Sequence, residues 1–245
     1  MKILLAPAES KNSGGKEKAF CEDNFCFPSL FEKREFIFNA YEEFLKDSEL
    51  EDLKKWFGLK NENEVKKYKE LLKNKPSMKA IQRYNGVAFD ALDYVSLDEK
   101  EKTYVDKNVM LFSNLFGPLN ACDLIPDYKY KQGAKLPNIN VEKFYNESFS
   151  QSLDDELGEE IIDIRAGFYE KFYKIKKANV LTFKFIKNGK VVSHWAKYYR
   201  GKLLRTLAQN EVTCFADFMQ IHIEGLKLIE IQEKKNIKLL IMEIE

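Results

Sequence analysis

Val180-Leu181-Thr182-Phe183-Lys184-Phe185-Ile186-Lys187-Asn188-Gly189-Lys190-Val191-Val192-Ser193 carries the strongest local structural signal in the chain. Two runs rich in β-branched and aromatic residues flank Asn188-Gly189, the dipeptide best suited to the positive-φ pair of a two-residue hairpin turn. A β-hairpin is expected, with strands over 180–186 and 190–193. Upstream, Glu160–Ile164 reads as a strand and 167–177 as a helix. Downstream, 196–208 reads as a helix, and 226–231 with 237–244 as a closing strand pair. At the other end of the chain, 2–6 reads as a short buried strand stopped by Pro7, and 109–115 as another strand, broken by Gly117-Pro118.

The stretch from Glu32 to Asp106 is helical in pattern. Phe36, Tyr41, Phe44 and Leu45 recur at helical spacing, and Ser48 with Glu51 and Asn61 with Glu64 resemble capping boxes. Pro76 sits where a further helix would begin, Asn85-Gly86 marks a stop, and a short helix through Ala91-Leu92 follows. A longer amphipathic helix is expected over 141–157. Strands thus come from both ends of the chain around a helical insertion. The expected fold is α+β: a single domain over residues 1–245, with a mixed β-sheet flanked by helices.

The composition permits such a core. Of 245 residues, 44% are hydrophobic and 13% aromatic, with only 11 Gly and 6 Pro, which excludes disordered, collagenous and low-complexity chains. Cys21, Cys26, Cys122 and Cys214 form no C-x-x-C pair, so zinc ribbons and thioredoxin-like sites are not expected, nor is cysteine-based peroxide chemistry. With no apolar run of signal-peptide or membrane-spanning length, a cytoplasmic location with reduced thiols and no membrane association is expected. Two histidines, His194 and His222, leave little material for a metal centre. Iron held by Glu9, Asp90 or Asp163 with His194 would require three separated segments to converge, and no bound metal or cofactor is expected.

A balanced net charge of +1 hides a segregation. Eight acidic residues and one basic residue, Lys143, lie between Glu142 and Asp163, whereas twelve basic residues and one acid, Glu170, lie between Arg165 and Arg205. Nine aromatics are interleaved with the basic set. A concentrated cationic face binds phosphates through counterion release, and exposed rings stack on unpaired bases. The competing reading is that the acidic helix and the basic hairpin neutralise each other while the aromatics fill the core.

Five blocks resemble the YaaA family, which is associated with peroxide stress. They are Leu4-Leu5-Ala6-Pro7-Ala8-Glu9-Ser10-Lys11 with Gly14-Gly15; Arg83 to Leu92; Phe112 to Leu119 with Asp123 to Tyr128; Asp163-Ile164-Arg165-Ala166-Gly167-Phe168-Tyr169; and Val192 to Arg205. Together they span nearly the whole chain. The resemblance implies a single-domain architecture, double-stranded DNA binding in a positively charged cleft with a helix-hairpin-helix element, and protection from peroxide linked to low free iron. The sequence departs from the family pattern at Ala6, Ala8, Ala166 and Ala196, where that branch has proline, serine, serine and asparagine.

On this reading Lys197, Arg200, Lys202 and Arg205 are the foremost phosphate contacts for double-stranded or distorted DNA, with Lys11, Arg83 and Arg165 lining the same cleft. Gly117, in Phe116-Gly117-Pro118-Leu119, is the candidate hairpin turn. An enzyme reading competes: Glu9 and Ser10 follow the first strand, Asp163 ends another, and with His194 they would form a carboxylate and general-base cluster acting on a nucleotide or damaged nucleic acid. For Asp163 with Arg165 the plainer expectation is a structural ion pair. A third reading has the basic face dock an acidic protein partner.

Overall fold

The computed structural model describes residues 1–17 and 19–245. Its strands are β1 (Lys2–Leu5), β2 (Ser77–Lys79), β3 (Val109–Ser113), β4 (Gly117–Asn120), β5 (Leu124–Pro126), β6 (Glu160–Ile164), β7 (Asn179–Lys187), β8 (Lys190–Val191), β9 (Leu226–Lys234) and β10 (Ile237–Ile244). Its helices are α1 (Phe31–Asp47), α2 (Leu50–Phe57), α3 (Glu62–Tyr68), α4 (Ala80–Arg83), α5 (Val87–Leu92), α6 (Glu99–Asn108), α7 (Val141–Glu156), α8 (His194–Gln209) and α9 (Phe215–Phe218). The α+β expectation holds: among the described residues eight strands make one mixed sheet in the order β4-β3-β1-β6-β7-β10-β9, with β8 on β7, and β2 pairs β5 in a second small sheet.

The middle of the large sheet is parallel. β1 lies between β3 and β6, β6 pairs β7, and β7 pairs β10, all in parallel. Both faces of such strands are covered, so they read as continuous apolar runs rather than alternating ones: Ile3 and Leu4 are fully buried and so is every residue of β3. Counted along the chain, the five parallel strands have the spatial order 2-1-3-4-5, which places a topological switch between β1 and β6. Sheets wound this way leave a crevice beyond the carboxyl ends of the strands at the switch.

α8 forms because Ala196, Tyr199, Leu203, Leu204 and Leu207 fall on one face at helical spacing, and all are buried. Tyr199 stacks on Phe185 of β7 with ring centroids 6.1 Å apart, and Gly201 lets the helix close onto α5 at Ala88. That contact sets one wall of the crevice.

The hairpin forms as expected. Lys187 pairs with Lys190 across Asn188-Gly189, whose φ values of 49° and 73° fit a type I′ turn. Its second strand is shorter than expected, two residues only.

Three local expectations are corrected. Residues 167–177 do not make an α-helix: a 3-10 turn covers Gly167–Lys171 and the rest is irregular. The Arg165 guanidinium takes the Tyr169 and Tyr173 carbonyls, at 3.4 and 3.0 Å, that a continuing helix would have used. Pro76 opens no helix, because Ser77, Met78 and Lys79 pair with Pro126, Ile125 and Leu124. Gly117 lies in the tight β3–β4 hairpin, where Ser113 pairs with Gly117, and no pair of helices flanks it. Its φ of 69° and the Tyr145 ring, 2.5 Å from where a Cβ would stand, account for the glycine. No helix among the described residues is long and apolar enough to cross a membrane.

Candidate functional site at the strand switch

The crevice predicted by the strand order is present. It has a volume of about 380 Å³ and is walled by Leu5 to Ser10 after β1, Ile164 and Ala166 at the end of β6, Asn85 to Phe89 around the start of α5, Lys197 and Arg200 from α8, Tyr169 and Gln132. Four of the five family-like blocks meet there. Of the sequence-derived candidates, Glu9, Ser10, Lys197 and Arg200 share this one cavity. Glu9 is fixed by its Oε1, which accepts from the Gln132 backbone N–H at 3.2 Å.

Arg200 and Lys197 differ from the other expected phosphate contacts in being uncommitted. Arg200 is half-buried, and no hydrogen bond or ion pair holds its guanidinium among the described residues. Loss of water lowers its pKa, with Asp163 opposing. Lys197 is exposed at the crevice wall and has no carboxylate in ion-pair reach among the described residues.

The remaining cations are engaged elsewhere. Arg83 is fully buried, and its guanidinium donates to the carbonyls of Asn12, Gly14 (2.8 Å), Pro76 (3.3 Å) and Ile125 (3.2 Å). It pins the glycine loop after β1 against the small sheet. Arg165 makes a bidentate pair with Asp163, Nε to Oδ1 at 2.9 Å and Nη2 to Oδ2 at 2.7 Å, and lies 4.7 Å over the Phe112 ring. Lys202 is paired with Glu224 at 2.8 Å, and Arg205 donates to the Leu92 carbonyl at 2.8 Å and the Asp93 carbonyl at 3.1 Å.

The acid–base cluster of the enzyme reading is not assembled. Glu9 and Ser10 line the crevice, Asp163 is held by Arg165, and His194 is exposed at the first turn of α8, outside the cavity. Among the described residues no group of three or more His, Cys, Asp or Glu is placed to hold a metal ion. Burial, reinforced by Asp123, pushes the Cys26 thiol up, away from the thiolate that peroxide attacks.

The basic segment does not gather into one trough. β6 and β7 are parallel, so the chain leaving β6 must return along the length of the sheet before β7 begins. This puts Lys176 and Lys177, just before the start of β7, at the opposite end of the sheet from Lys187 and Lys190. A larger concavity of about 1000 Å³ on the far side of Asn85 and Gly86 is lined by Lys16 and Lys79 but also by Glu17, Asp90 and Asp93, and it is not basic.

Lys11 sits just under the crevice loop. Its ammonium donates to the Ala8 and Glu9 carbonyls at 3.4 and 3.3 Å and lies 4.1 Å over the Tyr128 ring. Beneath it, a buried hydroxyl chain runs from Tyr84 to Tyr128 (2.7 Å) to Ser113 (2.8 Å). Loss of water, then the neighbouring Lys129, lowers the Lys11 pKa to about 7. Between about pH 7 and the ordinary lysine value, the unfolded chain therefore binds a proton that the folded chain does not. Stability is expected to rise with pH across that window, by at most about 1.4 kcal/mol per pH unit. Urea unfolding at pH 7.5 and 9 should show this rise, and Lys11→Met should remove it. An identical pH dependence in the two proteins would mean that Lys11 is an ordinary solvated lysine.

Sequence reading did not pick out Gln132, Phe89 or Tyr169 as part of the site. Gln132 contributes its backbone N–H to Glu9, a role that leaves no side-chain signal. Phe89 and Tyr169 lie inside quoted blocks, yet aromatics at such spacing are more often core.

Comparison with known proteins gives a consistent result. A family described as "Peroxide stress protein YaaA" matches residues 1–232. Over 245 residues the chain is 47% identical to an uncharacterized protein of Campylobacter jejuni, covering 100% of this chain and 99% of that one. It is 35% identical over 219 residues to a UPF0246 protein of Corynebacterium glutamicum, with 86% of each chain covered. It is 30% identical over 216 residues to a UPF0246 protein of Streptomyces coelicolor, covering 84% of this chain and 82% of that one.

Proposed function

Since the chain belongs to the YaaA family of peroxide stress proteins, we propose that it acts in the cytoplasm by binding DNA without sequence specificity, helping to limit free iron and oxidative damage to DNA. The iron effect in this reading is indirect.

The observation that carries the DNA reading is at the tip of the β7–β8 hairpin. Lys187 and Lys190 stand directly opposite each other, so two like charges share one face with no carboxylate in ion-pair reach among the described residues. Like charges in that position destabilise a hairpin. An anionic partner removes the cost. Beside them, Trp195 is 45% exposed and lies with its ring 5.1 Å from the Lys187 ammonium, and Tyr198 is 37% exposed. Cations that neutralise phosphates together with exposed rings that stack on frayed or distorted bases form a surface suited to DNA without base readout.

Fluorescence anisotropy with duplexes of unrelated sequence tests this. Affinity should be similar across sequences and should fall steeply with salt. Lys187→Glu with Lys190→Glu should weaken binding and flatten the log–log salt slope by about 2, near 0.9 for each phosphate no longer neutralised. An unchanged slope in the folded double variant would remove the hairpin from the contact surface. Peroxide survival of cells carrying the same variant then links the surface to protection.

A further inference from the structure

Among the described residues, Arg200 is a half-buried cation that faces a cavity with no anion of its own. Arg200 bears the solvation cost of partial burial, yet nothing in the fold offsets it through a hydrogen bond or ion pair among the described residues. The carboxylate that opposes this cost from a distance, Asp163, already has both oxygens on Arg165. Lys197, close by on α8, faces the same cavity unpaired. These two cations outnumber Glu9, the one carboxylate in the wall, so the crevice carries net positive charge. Its uncharged lining combines the polar Ser10, Asn85 and Gln132 with apolar and aromatic groups, among them Val87, Phe89, Ile164 and Tyr169.

We propose that this crevice is a binding site for a small phosphate monoester, its phosphate held between Arg200 and Lys197 and its organic part laid against Phe89 and Tyr169. Arg200 supplies the planar fork that suits a phosphate's oxygens, and Lys197 adds a movable point charge. Ser10 and Glu9, in the same lining, accept hydrogen bonds from ligand hydroxyls. A volume of about 380 Å³ falls in the range of small-ligand pockets and is too small for a duplex. The position, beyond the carboxyl ends of β1 and β6 where the strand order reverses, is where open parallel sheets hold ligands. This site is independent of the hairpin surface and stands whether or not that surface binds DNA.

Calorimetric titration of the full chain with AMP, ribose 5-phosphate and glycerol 3-phosphate, with adenosine as the phosphate-free control, tests the proposal. At least one phosphate ester should bind, and where AMP binds, adenosine should bind at least about ten-fold more weakly, a difference of about 1.4 kcal/mol. Arg200→Gln should weaken the phosphate ester by at least about ten-fold. Ala166→Leu, which fills the cavity and leaves both cations in place, should do the same in a protein that still melts cooperatively. Lys187→Glu with Lys190→Glu should leave this binding unchanged. Absence of binding by all three esters overturns the proposal, as does unchanged binding in both Arg200→Gln and Ala166→Leu.

Discussion

Arg83→Met is expected to cost about 4 kcal/mol of folding stability, read as a shift in urea midpoint at constant slope. The guanidinium serves four backbone carbonyls from three segments: Asn12 and Gly14 of the loop after β1, Pro76 before β2, and Ile125 of β5. A methionine fills much of the same volume but donates to none of them. Each carbonyl left buried without a donor costs about 1–3 kcal/mol, and the lower end applies to Asn12 and Gly14, which lie on an exposed loop that water can reach. Limited proteolysis should then cut within 12–17 faster than in the wild type. Were Arg83 instead a phosphate contact on the surface, the variant would lose DNA affinity and keep its stability; that outcome would overturn the staple assignment.

Gly201→Val should have an effect of similar size through a different cause. A Cβ at this position would fall on the Ala88 backbone, its carbonyl oxygen above all, where no rotamer change can make room. The helix must move away from α5, and overpacking of this kind costs about 1–3 kcal/mol or more. Alanine at the same site tests the balance, since its better helix propensity recovers about 1 kcal/mol of the loss. Because the packed pair α5 and α8 forms one wall of the crevice, the shift should also weaken any ligand held by Arg200, in a protein whose hairpin surface is untouched. A Gly201→Ala variant as stable as the wild type would show that the seam is looser than the packing at Ala88 implies.

The elements that sequence reading located correctly are those set by local chemistry. Asn188-Gly189 demands a two-residue turn whatever surrounds it, and Glu160–Ile164 is bounded by Gly158 and by Arg165, which leaves the strand, so both were legible. The elements it missed were decided by distant partners. Residues 167–177 have a helical pattern, yet Arg165 claims the Tyr169 and Tyr173 carbonyls; Ser77–Lys79 follows a proline suited to a helix start, yet β5 and Glu17 claim its backbone. The charge segregation was visible, but its meaning was not. A run of twelve cations reads as one surface only if the chain stays in one place, and the parallel return between β6 and β7 carries it from one end of the sheet to the other. For the site, the order of the blocks pointed to Glu9, Ser10, Lys197 and Arg200, and only the strand order explains why residues so far apart in sequence meet.

The position of β1 governs how the molecule assembles. Four residues at the start of the chain occupy the middle of the sheet, and both of their ladders run to partners more than a hundred residues away, at Val109 to Leu111 and at Ile161 to Ile164. Most of the loop-closure entropy is lost before either ladder gains a bond, whereas β9 and β10 pair across a two-residue turn at almost none. The sheet is therefore expected to grow inward from its carboxyl-terminal edge, with its centre closing slowly and late.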